Sequence, residues 1–261
     1  MTAHRSDGHV PWYAETGDAG GPLVVLVHGT MDRAAGMLQI ARHLEDRVGA
    51  RYCILRYDRR GYGRSPHAGP FDMGHQVDDL MTLLEGRRAV IFGHSYGGNV
   101  ALSAAARHPA SVAGVGVYES PMSWEPWWPS NGAASRALAV VEDPAAAAEA
   151  FMRRLVGNAR WEALPERTRQ TRLSEGPTML GELGDLRACR PWMAADITVP
   201  LVTGCGQLAR PHHHRGMSEL ADAVPGSVFV ELAGCGHDAP TAAPGALVEQ
   251  MLLPLLERCA W

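Results

Sequence analysis

Lysine is absent from this chain, and all 24 of its basic residues are arginine. That excludes a Schiff base, a pyridoxal phosphate anchor, a Ser–Lys dyad and a P-loop lysine. The absence itself reads as the coding bias of an Ala- and Arg-rich genome. Cysteine is scarce: Cys53, Cys189, Cys205, Cys235 and Cys259 are odd in number, scattered and never in a CxxC pair. Such usage fits reduced thiols rather than a disulfide framework, and Cys205 and Cys235, near the ends of two strands, read as small buried side chains. No run approaches the roughly 18 apolar residues of a membrane span. The stretch Met1–Trp12 carries charge and glycine without an apolar signal region, so the expectation is a cytoplasmic protein with no membrane partner. A surplus of positive charge is missing too. The net charge of −4, with both signs interspersed, leaves no footprint for nucleic acid and points to a small-molecule substrate.

What is present is an ordinary globular balance, 46% apolar and 20% charged over 261 residues, enough for one domain with an elaboration. Apolar runs at Leu23–Val27, Arg51–Tyr57, Ala89–Phe92, Val112–Tyr118, Leu201–Thr203 and Val228–Leu232 read as strands. Helical patterns at Ala35–Leu44, Gln76–Leu84, Tyr96–Arg107, Met217–Ala223 and Ala246–Leu256 alternate with them. Six strands joined by five crossovers make an α/β protein with a mostly parallel central sheet flanked by helices. Between Pro121 and Val199 the rhythm breaks. Trp124, Trp127 and Trp128 are followed by Ala-rich and Arg/Glu-rich helical patterns, one of them opened by Asp143 and Pro144. This predicts an inserted helical cap over 121–195, with the core in 1–120 and 196–261.

Gly93-His94-Ser95-Tyr96-Gly97 matches G-x-S-x-G and lies between a strand and a helix. Its glycines fit a sharp corner in which serine takes a strained backbone conformation. Ser95 is the candidate nucleophile. The Tyr96 N–H, next in the chain and at a helix start, is one candidate oxyanion donor. His28-Gly29-Thr30 closes the first apolar strand, and Thr30 is the other candidate donor; His28 reads as a residue that orders this loop. Late in the chain, His237 stands in a glycine-rich loop directly after a strand, and is the candidate general base.

Together these motifs resemble the α/β-hydrolase superfamily over nearly the whole chain. The block Tyr57–Ser65 resembles that family's D-x-R-G-x-G-x-S turn, with Asp58 as its structural anchor. The resemblance implies the α/β-hydrolase fold and a Ser-acid-His triad, but the usual acid is missing: no carboxylate lies between Asp196 and Glu219. Some members take the acid from the loop after the strand preceding the cap, where this chain has Glu119. Glu119 is therefore the expected acid, ahead of Asp32 and Asp238. His212-His213-His214 reads as a solvated surface patch rather than a metal site, and no metal or organic cofactor is expected. The three tryptophans are expected to line an apolar substrate pocket.

The resulting expectation is a serine hydrolase acting on a small ester, lactone, thioester or related acyl substrate through an acyl-enzyme on Ser95. The same residues leave open a lyase, an acyltransferase or a C–C bond hydrolase, and also a non-catalytic ligand-binding protein on this fold. Haloalkane dehalogenases and epoxide hydrolases resemble the family but carry Asp at the position of Ser95. A monomer or homodimer fits equally, the Trp-rich cap edge being a possible contact.

Overall fold

The computed structural model describes residues 7–261, so the first six residues of the stretch Met1–Trp12 lie outside the described residues. Seven strands form one sheet in the order β1-β3-β2-β4-β5-β6-β7. They are β1 (Tyr13–Gly17), β2 (Leu23–Val27), β3 (Cys53–Tyr57), β4 (Ala89–His94), β5 (Val112–Tyr118), β6 (Leu201–Gly206) and β7 (Val228–Leu232). All pairs are parallel except β1 with β3.

The inner strands are continuous apolar runs because both faces are covered, the usual condition of a parallel sheet. One face carries α2 (Met73–Leu84), α3 (Tyr96–Arg107) and α9 (Pro211–Ala223) over a core that includes Val25, Leu55, Ile91 and Val115. The other carries α1 (Leu38–Val48) and the C-terminal helical run Pro244–Arg258 over Val24, Leu26, Phe92 and Val202. Every second residue of a central strand thus serves the opposite core. That C-terminal run contains a π-helical turn at Val248–Leu252.

The strand missed by the sequence reading is β1. Its five residues, YAETG, alternate between exposed and half-buried on the sheet edge, so no apolar run marks them. The remaining strands agree with the expected ones apart from their ends.

Between β5 and β6 the chain forms five helices and no strand: α4 (Ala133–Leu138), α5 (Pro144–Val156), α6 (Asn158–Glu162), α7 (Glu166–Ser174) and α8 (Gly176–Ala188). Asp143 caps α5 by accepting the Ala146 N–H at 3.0 Å, with Pro144 in the first turn. The helices enclose a small core of their own around Phe151, Trp161, Met179 and Leu183. Met31 and Tyr62, from the loops after β2 and β3, complete it.

From β2 the sheet grows first toward β3 and then, after a crossover, toward β4. In doubly wound sheets that reversal leaves a crevice at the carboxyl ends of the strands. The helical segment 121–195 enters directly after β5, at this end of the sheet.

Candidate active site

Ser95 sits at the corner between β4 and α3 with φ 54° and ψ −126°, a conformation that costs a non-glycine residue of order 1–3 kcal/mol. The surroundings over-determine it. The Ser95 N–H donates to the Tyr118 carbonyl at 2.9 Å, and the Ser95 carbonyl accepts the Gly98 N–H at 2.9 Å. The flanking glycines have a steric cause. A Cβ on Gly93 would lie 2.3 Å from the Gly97 carbonyl oxygen, and one on Gly97 would lie 2.3 Å from that of Val27.

Glu119 directly follows β5 and is fully buried, with a positive φ of 49°. Its Oε2 accepts from His237 Nδ1 at 2.8 Å and its Oε1 accepts the Gly206 N–H at 3.0 Å. The first bond places the His237 proton on Nδ1 and leaves Nε2 as the free acceptor. Gly206 occupies the β6 end, where no acid stands in this sequence. A Cβ there would lie 2.1 Å from the Cys235 carbonyl oxygen, so only glycine lets the β6 backbone reach the carboxylate.

The loop carrying His237 is held from below. His94 Nε2 donates to the His237 carbonyl at 2.9 Å, and the Tyr118 hydroxyl donates to the Gly236 carbonyl at 2.8 Å. Desolvation holds the His94 imidazole well below its ordinary pKa, which favours the neutral ring as donor. Neither His94 nor Tyr118 was singled out from the sequence, although His94 lies inside the G-x-S-x-G match.

Ser95, His237, Thr30 and Tyr96 all line one cavity of about 350 Å³ beneath the helices of 121–195. No hydrogen bond joins the Ser95 hydroxyl to His237 among the described residues; such bonds are often long until a substrate is in place. The Tyr96 N–H belongs to the first turn of α3, whose N–H groups lack intrahelical acceptors. Among the described residues the Thr30 N–H likewise has no acceptor.

Other candidates fall into structural places. His28 Nε2 accepts the Arg59 N–H at 2.9 Å and its Nδ1 donates to the Gly29 carbonyl at 2.7 Å, which orders the loop before Thr30. Asp58 accepts the N–H groups of Ala34 at 2.7 Å and Arg64 at 2.9 Å, tying two turns together. Asp32 is half-buried, and its desolvation raises its carboxyl pKa, while Asp238 is exposed at the head of a short helix.

Two expectations are corrected. Of the three tryptophans only Trp128 lines the cavity. Trp124 packs edge-on against Trp192 with centroids 5.4 Å apart, and Trp127 lies under the Arg215 guanidinium at 4.3 Å; both pack against the core. In so turn-rich a segment neighbouring side chains point in unrelated directions.

Nor are the three histidines a solvated patch. The helix α9 begins at Pro211, six residues before the expected start, and turns His212 and His213 into the cavity. His213 stacks near His237 at 5.2 Å, and burial lowers its pKa well below the ordinary value. His214 points outward to Glu231 at 2.9 Å.

Among the described residues, two sets of side chains bring possible metal-ligand atoms within 4.8 Å of one another: Glu119, His213 and His237, and Cys205, His214 and Glu231. Three such donors are what a metal ion requires. In the first set Glu119 Oε2 is already engaged by His237. In the second, burial with Glu119 and Glu231 nearby pushes the Cys205 thiol up to about 12, which disfavours the thiolate in the absence of a cation.

Known proteins resemble this chain in sequence and in shape. A segment of 110 residues, 41% of the chain, is 34% identical to the lipase LipV of Mycobacterium tuberculosis. Another of 99 residues is 33% identical to the sn-1-specific diacylglycerol lipase ABHD11 of Xenopus tropicalis. These segments span only 39% and 30% of those relatives. Among solved structures, an alpha/beta hydrolase from Sphaerobacter thermophilus superimposes with a TM-score of 0.70 at 25% identity, over 94% of this chain and 95% of that one. The enol-lactonase from Burkholderia xenovorans shares the fold with a TM-score of 0.69 at 24% identity, over 94% and 96%. The model of the alpha/beta hydrolase family matches residues 24–250. With the sheet, the crevice and the match spanning nearly all of its length, the chain belongs to the alpha/beta hydrolase family.

Proposed function

We propose that this protein is a serine hydrolase that cleaves a small ester, lactone, thioester or related acyl compound through an acyl-enzyme on Ser95. The observation that supports it most is the pairing of His237 Nδ1 with the buried Glu119 carboxylate at 2.8 Å, on the wall of the cavity that Ser95 also lines. In this reading His237 Nε2 takes the hydroxyl proton as Oγ attacks the acyl carbon. The developing oxyanion lies between the N–H groups of Thr30 and Tyr96, at the positive end of α3. As the C–O or C–S bond breaks, His237 returns the proton to the leaving group. Water then attacks the acyl-enzyme with His237 again as base, releasing the acid and restoring Ser95.

Glu119 keeps the imidazole in the required tautomer and stabilises its protonated form. The positive φ at both Ser95 and Glu119 fits strain held where chemistry is done. The cavity volume suits a small substrate, with Trp128 as one apolar wall.

The test combines Ser95→Ala with a fluorophosphonate probe and a panel of esters of graded acyl length. Wild-type protein is expected to be labelled on Ser95 and to hydrolyse at least one ester, and the variant to do neither. Undiminished hydrolysis by Ser95→Ala would remove this reading.

A further inference from the structure

The wall of the candidate cavity is cationic although the chain as a whole is acidic. Net charge is −4, with 28 acidic residues, yet among the described residues no aspartate or glutamate lines this cavity. Two arginines do: Arg154 in the last turn of α5, and Arg210 immediately before α9. Both are exposed, and neither guanidinium has an ion-pair or hydrogen-bond partner among the described residues.

Their neighbours behave differently. Arg153 is held by Glu149 at 2.6 Å and Glu162 at 2.5 Å, and Arg215 by Glu219 at 2.7 Å. Arg153 and Arg215, which lie outside the cavity lining, are neutralised, whereas Arg154 and Arg210, which belong to it, are left to pair with a ligand. A position in the last turn of α5 would satisfy the helix dipole for Arg153 and Arg154 alike, and so does not account for the contrast. Positive charge on a concave, partly apolar wall attracts anions and raises their local concentration, and guanidinium pairs with carboxylate in a planar, two-pronged geometry.

We propose that the substrate acylating Ser95 carries a carboxylate at the end remote from the scissile bond, as a hemi-ester of a dicarboxylic acid does, and that Arg154 and Arg210 bind it. This rests on the reading of Ser95 as nucleophile. Hydrolysis then consumes one water and releases an alcohol and a dicarboxylate. Burial foremost, with His237 beside His213 and Arg210 beside His212, lowers the pKa of both imidazoles, which disfavours positive charge on them and leaves the arginines as the cations of this wall.

The test compares monoethyl adipate with ethyl 6-methylheptanoate, in which an isopropyl group replaces the carboxylate, and extends to monoethyl succinate through monoethyl suberate. For wild-type protein at low salt the hemi-ester is expected to be favoured at least about tenfold in kcat/KM. That ratio is expected to shrink as salt rises from about 20 mM to about 500 mM. Arg154→Gln and Arg210→Gln should each lower it several-fold and together bring it to about one, whereas Arg153→Gln should preserve it. The proposal fails if the neutral ester is turned over as well as the hemi-ester, or if the preference survives the double variant. It fails alone if Ser95 is labelled by fluorophosphonate while no hemi-ester of any length is hydrolysed. Absence of both labelling and hydrolysis overturns it together with the nucleophile reading.

Discussion

Glu119 and Glu182 are both fully buried, yet they are set up for different work. Glu119, at the end of β5, accepts one hydrogen bond from an imidazole and one from the Gly206 backbone. Glu182, on α8, faces the Arg59 guanidinium and also accepts from the Thr30 hydroxyl at 3.1 Å, the Tyr62 hydroxyl at 2.9 Å and the Gln76 amide at 3.0 Å. Arg59 in turn donates to the carbonyls of His28 at 2.9 Å and Gly29 at 3.0 Å. The network therefore ties α8 to the loop that presents Thr30. A buried carboxylate opposite an imidazole has a partner whose charge can change during a reaction. Opposite a guanidinium it has a permanent cation, and the pair orders structure instead.

Substituting each carboxylate separates the two roles, and the largest effect is expected at Glu119. Glu119→Gln should lower turnover of an ester by about 10⁴, the cost of losing the triad acid in serine proteases, while circular dichroism stays that of the wild type. Turnover near the wild-type value would move the acid elsewhere and erase the contrast between the two sites.

Glu182→Gln comes next, and here stability should suffer more than chemistry. Removing one partner strands the Arg59 charge in the interior, at a cost of about 3–5 kcal/mol in urea unfolding. Replacing both at once, Arg59→Met with Glu182→Leu, should recover much of that loss. If Glu182→Gln instead slows turnover as severely as Glu119→Gln without affecting unfolding, Glu182 belongs with the chemistry.

A smaller effect distinguishes the regions by pH. His28, beside Arg59, is buried and His94, beneath His237, is half-buried, and desolvation holds each imidazole well below its ordinary value of 6.5. Below that value the unfolded chain gains protons that the folded protein refuses. Stability should thus be fully present above about pH 6.5 and be lost as the pH falls from there through the lower folded values. His94→Gln should flatten this dependence by about one proton, as measured by thermal unfolding at about pH 7.5 and about pH 5.5. An unchanged slope would mean that His94 is charged in the folded protein, which its bond to the His237 carbonyl alone does not forbid.

Much of this architecture could be read along the chain because its causes are local. A strand buried on both faces needs a continuous apolar run, so Leu23–Val27 and Val112–Tyr118 announce themselves, whereas β1, on the edge, does not. The positions of Ser95, Glu119 and His237 were legible for a similar reason. Each stands at the end of a strand or in the loop just beyond it, and the serine corner demands glycine at two neighbouring sites. Glu119 as the expected acid rests on the family resemblance, in which some members carry the acid after the strand preceding the cap when the usual position, as here, holds none.

The sequence by itself determined the order of the elements, the strained corner at Ser95 and the strand ends at which functional groups could stand. Tertiary structure alone decided the rest. It kept Trp124 and Trp127 out of the cavity lining, aimed His212 and His213 at the cavity, brought Gly206 to Glu119, and joined Glu182 to Arg59 across 123 residues of chain. The physical reason is range. Backbone sterics and strand periodicity act between near neighbours, whereas side-chain direction and the pairing of buried charges depend on groups that only folding brings together.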